Sequence, residues 1–523
     1  MSIDENGSKN SKIQYDLTTL ILGVYVILIG VIFPLVVKDA YFDILTVKYY
    51  FYCICTIGMV IMLFFYYILE RKIKVRTVKG DGQNVNVKKL SKIDCFVLLF
   101  YFVVIISTVT SSYVYESFWG NEGRFTGAFL ITWYVISYFC VSRFWNFKKM
   151  YLNLILIAGL IVCIIGITDY FNLDILGFKN NIVVGQKNIF TSTLGNINTY
   201  TAYVGMIMAI STVLYAKAET KFQMLLFYLC MIITFFAIIM GVSDNAYLSL
   251  FALFAFLPFY LFKNINGVKR YLIILATFLT VIQAIAWINS RYGDQVLGLD
   301  GLFGVLAHFS YFSYIVLAVW GIIGIWYLVD FKDQNDTSKE CDKRIRRGWL
   351  GAIGLIFLSI IFVLYDCNIA GNVERYRAFS NYLVFNDDWG THRGYIWRNA
   401  MECFYELPIW KKLVGFGPET FGILIMNKTA YNPYNELFDS AHNEYIHLLT
   451  TVGIAGLMAY LGILISFIKH GIKQQKNNPY GMAILFAVIC YSVQAFVNLN
   501  VPIVTPIFWL LLGMGVAVSK EEK

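Results

Sequence analysis

Long apolar segments recur along the whole chain and are separated by shorter polar or charged connections. Each apolar segment is about 20 residues long, which is the length that an α-helix needs to cross the hydrocarbon core of a bilayer. The apolar residues run continuously and do not alternate with a period of two, so the pattern predicts helices and not the strands of a barrel. We therefore predict an all-α polytopic membrane protein with about 14 transmembrane helices.

The predicted spans are bounded by windows of high hydropathy. They fall at residues 17–37, 49–69, 95–112, 127–142, 151–168, 200–215, 222–241, 246–262, 271–288, 303–329, 349–365, 445–468, 482–497 and 503–518.

Composition agrees with a membrane protein. The chain is 58% hydrophobic and only 14% charged, which is more apolar surface than a soluble fold can bury. The formal net charge of +9 does not indicate a nucleic-acid partner, because membrane proteins collect Lys and Arg in their cytoplasmic connections.

Residues 1–16 are polar and precede a full-length span, so we expect no cleaved signal peptide. The ten cysteines have no metal-binding spacing, and we predict no metal site.

The basic residues predict how the bundle is oriented. With the N-terminus in the cytoplasm, most of the 42 Lys and Arg residues fall in inner connections, above all in 70–92 and 332–348. Both termini are then cytoplasmic, and the protein is a multi-pass protein of the cytoplasmic (inner) membrane.

One predicted outer segment, 366–441, is about 75 residues long, too long for a simple connection, and we expect it to contain short helices. Three regions follow from this prediction. Residues 1–365 form an N-terminal bundle of about 11 spans, 366–441 form an extracytoplasmic catalytic loop, and 442–523 add about 3 spans.

A polar pair stands where this outer segment meets the next predicted span. His442 and Asn443 are followed by nine residues, Gly453, two residues and Gly456. This H-N-x9-G-x-x-G pattern resembles the signature of the O-antigen ligase and polymerase superfamily, membrane enzymes that transfer glycans from a polyprenyl diphosphate carrier. Three more stretches resemble motifs of that superfamily in their usual order: "WGNEGRFTG" (119–127), "GNINTYTAY" (195–203) and "HRGYIWRNAMECFYELPIWKKLVGFGPETF" (392–421).

The resemblance implies a membrane glycosyltransferase with GT-C-type architecture. Such enzymes use no metal, nucleotide sugar or other cofactor and invert the anomeric centre. The implied partners are an undecaprenyl-type lipid diphosphate glycan, an acceptor saccharide and the bilayer, and the implied role is polysaccharide or cell-wall synthesis outside the cytoplasmic membrane. A polymerase and a ligase share the signature, so the sequence leaves both open.

The resemblance also implies two catalytic residues. His442 would remove the acceptor proton or orient the acceptor, because an imidazole with an ordinary pKa near 6.5 is largely neutral at neutral pH. Arg393 would bind the diphosphate oxygens with its planar fork of donors. Gly453 and Gly456 would allow close packing and take no part in the chemistry.

Further polar residues on the predicted outer face are candidate substrate-binding residues. Asn443 would orient the imidazole or contact a sugar, whereas helix capping is the alternative for Asn196 and Asn198. Asp244 stands where many members of the superfamily carry an arginine; it could contact sugar hydroxyls, pair with an arginine or act as a second base. The candidates to replace that arginine, each of which could equally be an ordinary loop cation, are Arg124, Arg375, Arg377 and Arg398.

A transporter or flippase of lipid-linked glycans or small molecules, without chemistry, is the alternative function. Transporters tend to place charges at the middle of the bilayer and are often built from two related halves. Here the candidate charges cluster on one predicted side and no repeated half is visible, which favours the enzyme.

Overall fold

The computed structural model describes residues 17–77, 89–121, 123–333, 343–474 and 478–518. In these ranges the chain is helical apart from connections and one two-stranded antiparallel sheet, β1 (Phe190–Thr191) and β2 (Gly195–Asn196). Among the described residues, eleven helices are long and apolar enough to cross a membrane, and three apolar helices are shorter. The prediction of an all-α polytopic membrane protein is thus confirmed, whereas the count of about 14 spans and the GT-C architecture stay predictions.

The helices before the long connection are α1 (Leu17–Leu35), α2 (Ile44–Thr77), α3 (Lys92–Val109), α4 (Val114–Trp119), α5 (Ala128–Phe144), α6 (Lys149–Tyr170), α7 (Ile197–Ala216), α8 (Lys221–Met240), α9 (Ala246–Leu261), α10 (Ile265–Tyr292), α11 (Gly301–Ala307), α12 (Phe312–Asp333) and α13 (Lys343–Asn368). Those that follow are α14 (Ser380–Leu383), α15 (Trp389–Glu406), α16 (Ile409–Val414), α17 (Phe421–Thr429), α18 (Glu444–Thr451), α19 (Gly453–Gln474), α20 (Pro479–Gln494) and α21 (Thr505–Val518). Short 3-10 helices lie at Val184–Ile189, Gly293–Gln295, Val373–Phe379 and Ala495–Val497.

Helix α7 lies at the centre of the bundle. Its most apolar window is 89% buried, and it packs against α8, α9 and α20. Close approach is possible because small residues face each other: a Cβ on Gly205 would lie 2.6 Å from the hydroxyl oxygen of Ser249 on α9. By contrast, α12 and α13 are peripheral, with windows only 17% and 11% buried, so most of their apolar surface is left for lipid.

Two predicted spans are interrupted in the structure. The span predicted at 303–329 is divided between α11 and α12, and the span predicted at 445–468 is divided between α18 and α19. The second break falls at Gly453, whose φ of 77° is left-handed. A Cβ there would lie 2.3 Å from the backbone oxygen of Leu413, so this glycine allows the end of α16 to pack against the break.

The segment between α13 and α18 contains α14 to α17, which lie at one end of the bundle near the beginnings of α7, α9 and α18. Which side of a membrane this end faces stays a prediction. The predicted cytoplasmic termini, 1–16 and 519–523, and parts of the basic connections 70–92 and 332–348 lie outside the described residues.

Candidate active site at one end of the bundle

A cavity of about 500 Å³, which we call the front cavity, opens where α7, α9, α11 and α15 begin and where α8 ends. Its wall is mixed, with apolar side chains from the helices and polar side chains from the connections between them. The polar residues that line it are Asn196, Asn198, Ser243, Asp244, Asn245, Tyr247, Asp300, Tyr382, Thr391, Arg393, Glu436, Asp439 and His442.

Arg393 enters the front cavity from a distorted turn at the start of α15. Gly390, Thr391 and His392 have φ values of 63°, 58° and 65°, a left-handed run that L-residues rarely adopt. The guanidinium donates from Nη1 to the Gly390 oxygen at 2.7 Å, and its Nε is buried without a partner among the described residues. Burial lowers the pKa of Arg393 and the negative charge of Asp244 opposes this, but a guanidinium stays charged. Its remaining donors are therefore available to an anion.

His442 reaches the same cavity from the residue before the cap of α18. Its own φ is 45°, and its backbone N–H donates to the Ser440 hydroxyl oxygen at 3.2 Å. Burial, and then the positive charges of Arg124 and Arg393, lower the pKa of His442 from 6.5 to about 3, while Asp439 opposes the shift. The imidazole is therefore neutral at neutral pH, with a lone pair that can accept a proton.

Carboxyl groups and tyrosines form a further part of the cavity wall. The Tyr382 hydroxyl donates to Asp244 Oδ1 at 3.0 Å, and the Tyr247 hydroxyl oxygen accepts from the Leu302 N–H at 2.8 Å. Gly301 lies between them with a φ of 61°, and a Cβ there would lie 2.5 Å from the Tyr382 hydroxyl. With Asp300 and Glu436 also in the lining, this wall offers many acceptors to a ligand rich in hydroxyl groups.

Arg124 does not line the front cavity, and its direct contact with a substrate stays a prediction. Its Nε donates to Asp439 Oδ2 at 2.9 Å, and its Nη2 donates to the other oxygen of that carboxylate. Asp439 is a lining residue three positions before His442. Arg124 therefore positions Asp439 and acts on the cavity through its charge.

Arg375 and Arg398 lie outside the front cavity as well, and their positions favour the alternative that they are ordinary loop cations. Arg375 pairs with Asp366 at 3.0 Å, and 63% of its side chain is exposed. Arg398 pairs with Asp387 and Glu402 at the surface, so its donors are already engaged. The side chain of the fourth candidate, Arg377, lies outside the described residues.

The three predicted asparagines have different positions. Asn196 lines the cavity and also caps α7, since its Oδ1 accepts from the Asn198 N–H at 2.8 Å. Asn198 lines the cavity and accepts a hydrogen bond from the Ser243 hydroxyl at 2.7 Å. Asn443 does not line the front cavity, because its Oδ1 caps α18 by accepting from the N–H groups of Tyr445 and Ile446. Capping is the role that the structure shows for Asn443, and its contact with a sugar stays a prediction.

Several lining residues were missed by the sequence analysis, namely Tyr247, Asp300, Tyr382, Glu436 and Asp439. Only Asp439 carried a usable signal, its position just before the His-Asn pair. Its partner Arg124 is 315 residues away, and Tyr382 bonds to Asp244 across 138 residues. Contacts between residues so far apart in the chain cannot be predicted from a single sequence.

The apolar helices define a multi-pass membrane protein. At one end of the bundle a neutral imidazole, a guanidinium and carboxylates line one cavity, which is typical of an enzyme site. Within this chain, residues 296–461 match the family model described as O-antigen ligase. No curated protein matches the chain. The family match confirms the resemblance to the O-antigen ligase and polymerase superfamily, and it supports a membrane enzyme of the ligase or polymerase type.

The matched range includes both predicted catalytic residues, Arg393 and His442, and both glycines of the signature. The candidate residues Arg124, Asn196, Asn198 and Asp244 precede it. The front cavity therefore combines residues from inside and outside the matched range.

Proposed function

We propose that the protein transfers a glycan from a polyprenyl diphosphate carrier, such as undecaprenyl diphosphate, to a hydroxyl group of an acceptor saccharide. The reaction takes place in the front cavity, outside the cytoplasmic membrane. The observation that carries the proposal is that His442 and Arg393, separated by 49 positions in the chain, line one cavity beside residues of α7 and α9.

In the proposed reaction the acceptor oxygen attacks the anomeric carbon of the donor glycan. A new carbon–oxygen bond forms at C1, and the bond from C1 to the diphosphate oxygen breaks with its electron pair. His442 accepts the proton that leaves the acceptor hydroxyl. Arg393 donates hydrogen bonds to the diphosphate as it takes up negative charge. Attack from the side opposite the leaving group inverts the anomeric centre, and no metal is needed.

The donor itself would adjust the basicity of His442. In the free cavity the positive charges of Arg124 and Arg393 help to keep the pKa of His442 low. A bound diphosphate brings negative charge close to the same guanidinium groups and offsets their effect. The pKa of His442 would then rise, so that the imidazole becomes an effective base when the donor is present.

The carboxyl groups and tyrosines of the cavity lining would bind sugar hydroxyls. Asp244 keeps one carboxylate oxygen bonded to Tyr382 and lies near Arg393, whose charge it balances. Asp300 and Glu436 add acceptors on the same cavity surface. We therefore assign Asp244 to sugar binding and to charge balance, which are two of the roles that its sequence position left open.

Purified protein in detergent, supplied with a synthetic polyprenyl diphosphate glycan and an acceptor saccharide, tests the proposal. We expect release of polyprenyl diphosphate that requires the acceptor and persists in EDTA. Movement of the intact donor across proteoliposomes without release would support a flippase and contradict the proposal. The length of the glycan product separates a polymerase from a ligase.

A further inference from the structure

A second, smaller cavity of about 40 Å³ lies among α3, α5, α18, α19 and α21, and we call it the rear cavity. Apolar and aromatic side chains form much of its wall. The polar residues that line it include Thr126, Glu419, Glu444, His447 and Asn500. None of them takes part in the proposed transfer as described so far.

The two carboxyl groups of the rear cavity differ in how they are held. Glu444 accepts hydrogen bonds from the hydroxyls of Tyr460 at 2.8 Å and Tyr491 at 3.4 Å, so it anchors α18 to α19 and α20. Glu419 accepts a hydrogen bond at Oε2 from the Thr126 hydroxyl, but its Oε1 is buried without a partner among the described residues. Only 1% of the Glu419 side chain is exposed. Glu419 thus has an oxygen free to bind a proton or a water molecule.

His447 faces this free carboxyl group. Its Nε2 lies 3.9 Å from Glu419 Oε2, which is too long for a direct hydrogen bond, and its ring stacks on Phe421. The Nδ1 of His447 and the Oδ1 of Asn500 are also buried without partners in the described part of the chain. Buried polar atoms are nearly always hydrogen-bonded, and a space of this size can hold a water molecule that bridges them.

The same short segments of chain connect residues of the rear cavity with residues of the front cavity. Arg124 bonds to Asp439, which lines the front cavity, whereas Thr126, two residues later, bonds to Glu419 in the rear cavity. Likewise His442 lines the front cavity and Glu444 lines the rear cavity. The proposed proton acceptor of the reaction is therefore adjacent to a polar, buried space.

We infer that the rear cavity holds water and that Glu419 is the group that takes up the proton from His442 after glycan transfer. This inference rests on the proposed function. The proton leaves the acceptor hydroxyl, binds to the imidazole of His442, passes through water to the Glu419 carboxylate and is released to solvent before the next turnover. The imidazole returns to its neutral form, and no oxidant, reductant or further reactant is required.

The surroundings of Glu419 suit this role. Burial raises the pKa of Glu419 from 4.5 to about 7, while the bond from Thr126 and the charge of Arg124 oppose the increase and Asp439 adds to it. A group with a pKa near neutrality both binds and releases a proton under working conditions. The titratable or charged groups that face Glu419 from the elements around it are Arg124, Tyr134, Asp439, Glu444, His447 and Tyr460.

Glu419→Gln tests the inference, because glutamine keeps the size and the acceptor for Thr126 but does not titrate. With the purified protein and the synthetic donor, we expect kcat at about pH 8 to fall at least about 10-fold with KM little changed. The wild-type rise of kcat through about pH 7 should disappear in this variant. Glu419→Asp should restore part of the rate together with the rise. Glu406→Gln, at an exposed glutamate paired with Lys428, is the matched control and should behave as wild type.

Infrared spectroscopy of the substrate-free protein provides an independent measurement. Burial also raises the pKa of Glu444 to about 7, so we expect two carbonyl bands of protonated carboxyl groups that disappear as the pH rises through about 7. One of them should be missing in Glu419→Gln and shifted in Glu419→Asp, and the other, from Glu444, should remain. If the wild type is active and Glu419→Gln has the same rate and pH profile, the inference is overturned and the proposed function stays intact. A wild type that never releases polyprenyl diphosphate overturns both. A wild type without the titrating band of Glu419 overturns the assignment of Glu419 as a proton-holding group.

Discussion

Replacement of Arg393 by lysine separates the charge of this residue from the shape of its guanidinium. Lysine keeps the positive charge but offers one nitrogen in place of a planar fork. In the structure one nitrogen of Arg393, Nη1, already bonds to the Gly390 oxygen at 2.7 Å, and the others remain for the diphosphate. The single nitrogen of lysine could not bond to the Gly390 oxygen and also replace the other guanidinium donors to the diphosphate. We therefore expect the loss of one charge-assisted hydrogen bond to the leaving group.

A charge-assisted hydrogen bond contributes about 1.5–3 kcal/mol, so kcat/KM should fall by a factor of about 10–150. The assay is release of polyprenyl diphosphate by purified protein at several donor concentrations. Arg398→Lys is the matched control, because it lies five residues further along the same helix and its bonds to Asp387 and Glu402 are at the surface. Exposed ion pairs contribute about 1 kcal/mol or less to stability, so this control should keep the wild-type kcat/KM. Wild-type kcat/KM in Arg393→Lys, or an equal loss in both variants, would refute the assignment of Arg393.

Two further predictions follow from the front cavity and from the break between α18 and α19. His442, with its pKa lowered to about 3, should remain neutral at about pH 5 in the free protein, and inorganic pyrophosphate should raise its pKa. Nitrogen NMR of labelled histidines, with the His442 signal assigned by its absence in His442→Gln, measures this pKa. Titration of His442 near pH 6.5 without pyrophosphate would contradict the prediction. Gly453→Ala should lower the free energy of unfolding by about 2–4 kcal/mol, because alanine is strained at a φ of 77° and its Cβ meets the Leu413 backbone. Thermal unfolding in detergent measures this loss. The control is Gly58→Ala, at a site with no atom within 4 Å of the added Cβ, and this variant should be at least as stable as wild type. Equal stability of the two variants would contradict the packing role of Gly453.

The membrane helices were predictable from sequence because a single physical requirement, a continuous apolar segment of sufficient length, determines them. The two breaks were not predictable in the same way. Hydropathy stays high across the end of α11 and across Gly453, so an apolar window continues where the backbone turns. The left-handed conformation of Gly453 depends on the close approach of Leu413, which is a tertiary contact.

The candidate site was predictable only where its residues belong to a local motif. His442 and Arg393 were identified by the spacing of their neighbours, and both line the front cavity. Their predicted chemistry stays a proposal. The ion pair of Arg124 with Asp439 was not predictable, because the two residues meet only through the fold. The capping role of Asn443 was not predicted, although the N–H groups at the α18 N-terminus need an acceptor and the Asn443 oxygen provides it.

A structure determined with a donor analogue bound tests the central claim most directly, because that claim places the leaving diphosphate between a particular guanidinium and a particular imidazole. We predict diphosphate oxygens within hydrogen-bonding distance of the Arg393 nitrogens and the anomeric carbon on the side of His442. A diphosphate bound at the other end of the bundle, or in the front cavity but out of reach of Arg393, would contradict the account.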